Sequence, residues 1–173
     1  FLTVEFDIAV RPGQTITAKG YDDVEFLIST NPGESLKPLS QVASGGELSR
    51  IMLAIKTVLA GRDEIDTLIF DEIDTGISGR TAWKVAEQLS VLSGAHQVIC
   101  ITHLPQIAAM ADVHFVIEKS STDDMTITDI HKVSAEESLA ELARLLGSDA
   151  LTEAALSNAK EMKEQAGMFK ETR

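Results

Sequence analysis

Three short segments of this chain carry residue types that could handle a phosphate anion. Ser44-Gly45-Gly46-Glu47 opens an apolar-periodic stretch, with Ser44 at the N-cap position and Glu47 at N3 of a capping box. A capping box does not call for two glycines in the first turn, where each weakens a helix by about 1 kcal/mol. They make sense if the backbone must approach a ligand, because the exposed N–H groups and the helix dipole attract anions. Asp71-Glu72 follows the apolar run Leu68-Ile69-Phe70. One carboxylate can hold Mg²⁺, directly or through water, and the other can polarise a water for attack on phosphorus. His103 closes a second apolar run, Val98 to Ile101, and a neutral imidazole can hydrogen-bond a phosphate oxygen or the attacking water. Each segment also has a plainer reading: a helix cap, a polar strand end, a structural histidine. Asp74 to Ser78 likewise reads as a turn with Ser78 capping the next helix.

The elements that must position these residues follow from periodicity. Thr3 to Val10 alternates as a half-buried strand closed by a turn at Arg11-Pro12-Gly13, and Val24 to Ser29 is a second strand ended by Asn31-Pro32-Gly33. The stretch to Gln41 is loop-like. From Ser44, the residues Leu48, Ile51, Met52, Ile55, Val58 and Leu59 share one helical face up to Gly61. Thr67 to Phe70 reads as a strand buried on both sides in a parallel sheet. Ser78 opens a helix to about Leu92, Gln97 to Ile101 is a strand, and Leu104 to Ala111 a short helix. Val113 to Glu118 and Thr126 to Val133 are strands. Ser134 to Glu137 is a capping box opening a helix that ends at Gly147, and a last helix covers about Leu151 to Gln165. Strands alternating with helices imply an α/β fold, a mostly parallel sheet flanked by helices, with residues 1–173 as a single domain.

Composition narrows the classes. At 173 residues and 44% hydrophobic content, the chain can bury a real core and is not of disordered type. No apolar run reaches the roughly 18 residues of a membrane helix, so no membrane partner is expected. Cys100 stands alone inside Val98-Ile99-Cys100-Ile101, which suggests a packed thiol in a reducing cytoplasm. The other histidines, His96, His114 and His131, read as ordinary surface or strand residues, and no Cys/His cluster has zinc-ligand spacing. No Gly is followed by Lys anywhere, so the phosphate-cradling Gly-x-x-x-x-Gly-Lys-Ser/Thr loop is absent from this sequence. The chain opens inside what looks like a strand, as an excised fragment would.

Taken in order, the segments resemble the C-terminal half of an ABC-type ATPase head: Ser44-Gly45-Gly46-Glu47 its signature motif, Leu68 to Glu72 its Walker B strand, Asp74 to Ser78 its D-loop, and His103 its switch histidine. Thr30-Asn31-Pro32-Gly33, Val42 through Arg50, Phe70 through Gly79, Thr102 through Ala108 and Glu141 through Gly147 sharpen this. They resemble the RecN family of bacterial SMC-like ATPases that repair DNA double-strand breaks. The resemblance implies ATP and Mg²⁺ as cofactors, Asp71 serving the metal and Glu72 as general base. It implies that Ser44, Gly45, Gly46, Glu47 and Asp74 contact nucleotide, the signature residues across a homodimer of ATP-sandwiched heads, and that His103 senses the γ-phosphate in its own head. It further implies an N-terminal Walker A lobe of the same protein as partner, DNA engaged through the full-length protein, and a cytoplasmic, nucleoid-associated location. The isolated chain is then expected to be inactive. Glu47 in place of the usual Gln, and Ser78 in place of the D-loop Asp, leave those two roles open. The alternatives are another SMC-like head, a transporter subunit (against which Thr-Gly-Ile-Ser and Thr-His-Leu-Pro argue), or a non-catalytic dimerisation and interaction module.

The charge yields a prediction. With 15 Lys and Arg against 27 Asp and Glu, the net charge is −12, and there is no basic run to release counterions from a duplex. Arg50, Lys56 and Arg62 are six apart (56−50 and 62−56); at about 100° per residue they drift by about 120° and form no single stripe. This chain alone should therefore bind duplex DNA weakly or not at all at physiological salt. Fluorescence anisotropy with a labelled duplex checks this, and submicromolar binding with a steep salt slope would contradict it.

Overall fold

The structure, a computed structural model, describes residues 4–30, 33–42, 44–59, 62, 64–121, 125–147 and 151–172. Asn31-Pro32, Gly61 and Thr3, used above as boundaries, lie outside the described residues. Two long strands, β1 (Glu5–Thr17) and β2 (Gly20–Ser29), form an antiparallel hairpin, joined by the two-residue β3 (Lys37–Pro38) along β2. The expected turn at Arg11-Pro12-Gly13 is not there. β1 runs through it with a register irregularity between Pro12 and Thr17, and the chain turns at Ala18-Lys19. Among the described residues β1 pairs with β2 alone, and an edge strand tolerates proline.

The centre is a strand–helix–strand unit. β4 (Thr67–Phe70) and β5 (Gln97–Cys100) pair in parallel, Leu68 opposite Val98 and Phe70 opposite Cys100, and α2 (Gly79–Leu92) connects them. The inward residues Leu68, Phe70, Val98 and Cys100 pack with Leu53 of α1 (Gly45–Leu59) and with Val85, Ala86, Leu89 and Leu92 of α2. β4 was expected to be buried on both faces, yet Ile69 is 68% exposed and Ile99 on β5 is also open. Among the described residues, helices pack on only one face of this two-stranded sheet. The sheet content differs from expectation too: among the described residues, β4–β5 is the only parallel pair, and the hairpin β6 (Phe115–Ser121) and β7 (Thr126–Lys132) is antiparallel.

A second apolar cluster joins α3 (Pro105–Ala109), α4 (Ala135–Leu145) and α5 (Glu153–Glu171) through Ala108, Ala109, Leu142, Ala143, Ala159 and Met162. The capping box forms as read: Ser134 Oγ accepts from Glu137 N–H, and Glu137 Oε2 accepts from Ser134 N–H. Gly147 closes the helix at φ 87°, its N–H donating to the Arg144 carbonyl. α5 runs six residues past Gln165, because Ala166 is buried in the first cluster and Phe169 packs against it. His96 is not a surface residue but is buried, with Nδ1 2.7 Å from the Ile65 carbonyl; His114 is half-buried, its Nδ1 2.9 Å from Ser138 Oγ. Burial lowers the pKa of His114, with Lys163 adding to the effect.

α1 departs most from its reading. Ile51 is buried as expected, but Leu53 is buried with it, while Leu48, Met52, Leu59 and Val58 (84%) are exposed. Most of the broad apolar stripe of this helix faces outward.

Candidate functional site

Parallel pairing brings the chemistry-bearing residues to one edge. β4 ends at Phe70 and β5 at Cys100, and the Ile101 N–H donates to the Phe70 carbonyl at 3.0 Å, extending the pairing by one bond. Asp71 and Glu72 thus leave the sheet beside Thr102 and His103, at the carboxyl end where α/β sheets form ligand sites.

The turn after β4 is tight. Asp71 Oδ1 accepts from Glu72 N–H at 2.9 Å, and the Thr75 N–H closes back onto the Glu72 carbonyl at 3.0 Å. Glu72 has φ 57°, and among the described residues no other non-glycine lies in this left-handed region. A residue held there costs of order 1–3 kcal/mol and persists only where the surroundings impose it. Here α1 imposes it. Ser49 Oγ donates to the Asp71 carbonyl at 3.0 Å, and Arg50 Nη1 donates to the carbonyls of Ile73 and Thr75 at 3.0 and 2.9 Å. Burial lowers the Arg50 pKa, opposed by nearby Glu47 and Asp74. The guanidinium is engaged by the turn through Nη1.

The start of α1 packs directly on this turn. A Cβ built on Gly45 would sit 2.6 Å from Glu72 Oε2; on Gly46 it would sit 2.8 Å from the Glu72 carbonyl oxygen and 3.0 Å from Thr75 Cβ. The two glycines therefore have a reason inside the chain, beyond the approach of a ligand. Ser44 caps α1 loosely, its Oγ 3.5 Å from the Glu47 nitrogen. Ala43 lies outside the described residues.

Asp74 was expected to contact nucleotide. Its side chain is turned into the protein, and the residue is 4% exposed. Oδ2 accepts from Thr102 Oγ1 at 2.6 Å and from the His103 N–H at 2.9 Å, with His103 Nδ1 at 3.0 Å. The His103 ring stays 71% exposed. Cys100, just inside, has its thiol pushed up to about 12 by burial first and then by Asp74 and Asp71, so it stays protonated as a packing residue. Ser78 stands at the N-cap of α2 without a side-chain cap bond. Gly45 and Gly46 thus meet Glu72 across one contact, and Asp74 meets His103 across another. Ser49, Arg50 and Thr102 were missed as site residues. Arg50 was legible in principle, since it lies four residues after Gly46 on the same helix face.

Similarity to known proteins runs over most of the chain. The chain is 49% identical over 157 residues to the DNA repair protein RecN of Bacillus subtilis, covering 91% of this chain and 27% of the relative. To RecN of Treponema pallidum it is 54% identical over 143 residues, 83% of this chain and 25% of the relative. The chain is homologous to RecN. It spans about a quarter to a third of the length of the curated relatives it matches; RecN of Halalkalibacterium halodurans, 44% identical over 167 residues, is covered to 30%. No family model matches the chain. A solved structure described as "Structural biochemistry of ATP-driven dimerization and DNA stimulated activation of SMC ATPases" superposes with a TM-score of 0.50 over 84% of both chains. At 20% identity that likeness establishes the fold, which is SMC ATPase-like.

The packing at Gly46 gives a direct prediction. Gly46→Ala gains helix propensity of up to about 1 kcal/mol, but its methyl group meets backbone and the Glu72 turn has to shift. It should lower the melting temperature. Gly167→Ala on α5, where nothing lies within 4 Å of the added Cβ, should leave it unchanged or raise it. Equal effects at the two positions would contradict the close packing of α1 on the turn.

Proposed function

We propose that residues 1–173 form one domain, the C-terminal lobe of an ABC-type ATPase head in a RecN-like DNA double-strand-break repair protein. The lobe takes part in ATP binding and hydrolysis only together with an N-terminal Walker A lobe and a second head. One observation carries this reading: the exposed Glu72 carboxylate, on a strained turn braced by the signature-like helix start, lies at the same sheet edge as His103. Strain of this kind concentrates at functional sites.

The donor set suits Mg²⁺. Asp71 and Glu72 offer hard carboxylate oxygens, and among the described residues no three His, Cys, Asp or Glu gather as a metal cage. Mg²⁺ is commonly held by one or two carboxylates while keeping water and phosphate ligands. In this reading Asp71 holds the ion, which would neutralise charge on the phosphates. Glu72 takes a proton from the attacking water, and His103 lies beside that water or the γ-phosphate. Ser44, Gly45, Gly46 and Glu47 face the nucleotide of the opposing head. The Gly45–Glu72 contact then links the surface that meets the partner's nucleotide to the base that serves its own.

Several exposed apolar faces support an absent lobe: the outward stripe of α1, Ile69 and Ile99 on the parallel pair, and Phe6, Ile8, Val10, Val24 and Phe26 on one face of the β1–β2 hairpin. DNA engagement falls to the rest of the protein, in the cytoplasm at the nucleoid. Among the described residues no helix is long and apolar enough to cross a membrane. A second reading, a non-catalytic interaction module, is favoured by the glycines, whose packing on Glu72 requires no ligand.

Glu72→Gln separates the two. In a head completed with the Walker A lobe, it should cut hydrolysis by about 10²–10⁴-fold, the span of general-base contributions, while ATP binding persists and an ATP-bound dimer accumulates on size exclusion. Equal turnover by both proteins would remove Glu72 from its role. No turnover by the complete wild-type head would favour the interaction module.

A further inference from the structure

We infer that Asp74 is a positioning residue for His103: its buried carboxylate fixes the hydrogen of the neutral imidazole on Nδ1 and leaves the lone pair on the exposed Nε2. The inference deepens the proposed ATPase reading and rests on it for its functional part.

Three donors converge on one oxygen. Thr102 Oγ1, the His103 backbone nitrogen and His103 Nδ1 lie 2.6, 2.9 and 3.0 Å from Asp74 Oδ2. An ionised carboxylate can only accept, so the ring nitrogen facing it must carry hydrogen. The arrangement is braced on both sides. The Leu104 N–H donates to Thr102 Oγ1 at 3.0 Å, so the threonine hydroxyl hydrogen is directed to Asp74. On the other side, the Asp74 backbone sits in the turn whose Ile73 and Thr75 carbonyls are held by Arg50. Ring orientation and tautomer are thus imposed by a side chain that is itself 4% exposed and multiply bonded, while the far end of the ring stays in the open.

The chemical consequence concerns what His103 can grip. With hydrogen on Nδ1, a neutral ring presents Nε2 as an acceptor, suited to an O–H of water. It donates to a phosphate oxygen only when the ring carries both hydrogens. Asp74 therefore biases neutral His103 toward the attacking water rather than the phosphate. It does so from inside the protein, without touching nucleotide.

The test uses ¹⁵N-histidine-labelled protein, as this chain and as the head completed with its Walker A lobe, with long-range ¹H–¹⁵N correlation above the histidine titration. Wild-type His103 should show Nδ1 protonated and Nε2 unprotonated; the opposite pattern overturns the inference whatever the variants do. Asp74→Ala should move the hydrogen to Nε2, and Asp74→Asn, which keeps an acceptor oxygen, should retain the wild-type tautomer in part. In the complete head, Asp74→Ala should lower kcat by about 10-fold or more, with KM for ATP changed less than about twofold, a fraction of a general-base effect. In a His103→Ala background it should add nothing, since two residues acting as a unit are not additive. An equal loss in both backgrounds would reduce Asp74 to a structural role. The tautomer is read without nucleotide, so an inactive complete head would defeat the ATPase reading and leave the positioning result standing.

Discussion

Everything at the candidate site depends on the turn from Asp71 to Thr75 being gripped from two directions. From one side α1 supplies Ser49 and Arg50 to its carbonyls, with Gly45 and Gly46 allowing the helix start to lie against it. From the other side the end of β5 supplies Thr102 and His103 to Asp74. Neither grip would hold Glu72 at φ 57° if the turn stood alone. The cost of the strained backbone is offset by these hydrogen bonds, each worth about 0.5–1.5 kcal/mol net. A helix far from the turn in sequence thereby sets the direction of its carboxylate.

Much of this was legible in the residues alone. Ser44 to Glu47, Asp71-Glu72 and His103 were singled out from type and spacing, and parallel pairing brings the last two to one sheet edge. The capping box at Ser134 formed as its spacing demands, because it is a purely local device. What escaped was non-local. The inward turn of Asp74 depends on Thr102, 28 residues away, and no periodicity reports such a pairing. Pro12-Gly13 looked like a turn because local punctuation says so, but an edge strand can absorb both residues.

The misread face of α1 is the most instructive case. Periodicity selects the widest apolar stripe, Leu48, Ile51, Met52, Ile55, Val58 and Leu59, and of these Leu48, Met52, Val58 and Leu59 are exposed while Ile51 is buried. Leu53, outside that stripe, is buried in the cluster formed with α2 and β4. A helix apolar on more than one side is suited to burial between two bodies, and this chain provides one of them. Ile69 and Ile99 on the open sheet face tell the same story. The chain's span of 25–30% of its RecN relatives is consistent with a lobe that packs against the remainder.

The central claim is that the start of α1 completes a nucleotide site belonging to another head. The most direct measurement mixes two defective complete heads, one carrying Ser44→Arg and the other a broken Walker A lysine, each inactive as a homodimer. A mixed dimer retains one site with a working Walker A and a working helix start. The account predicts that ATP hydrolysis returns on mixing and peaks near equal proportions. No recovery at any ratio, with mixed dimers shown to form, would contradict it and place Ser44 in the service of its own chain.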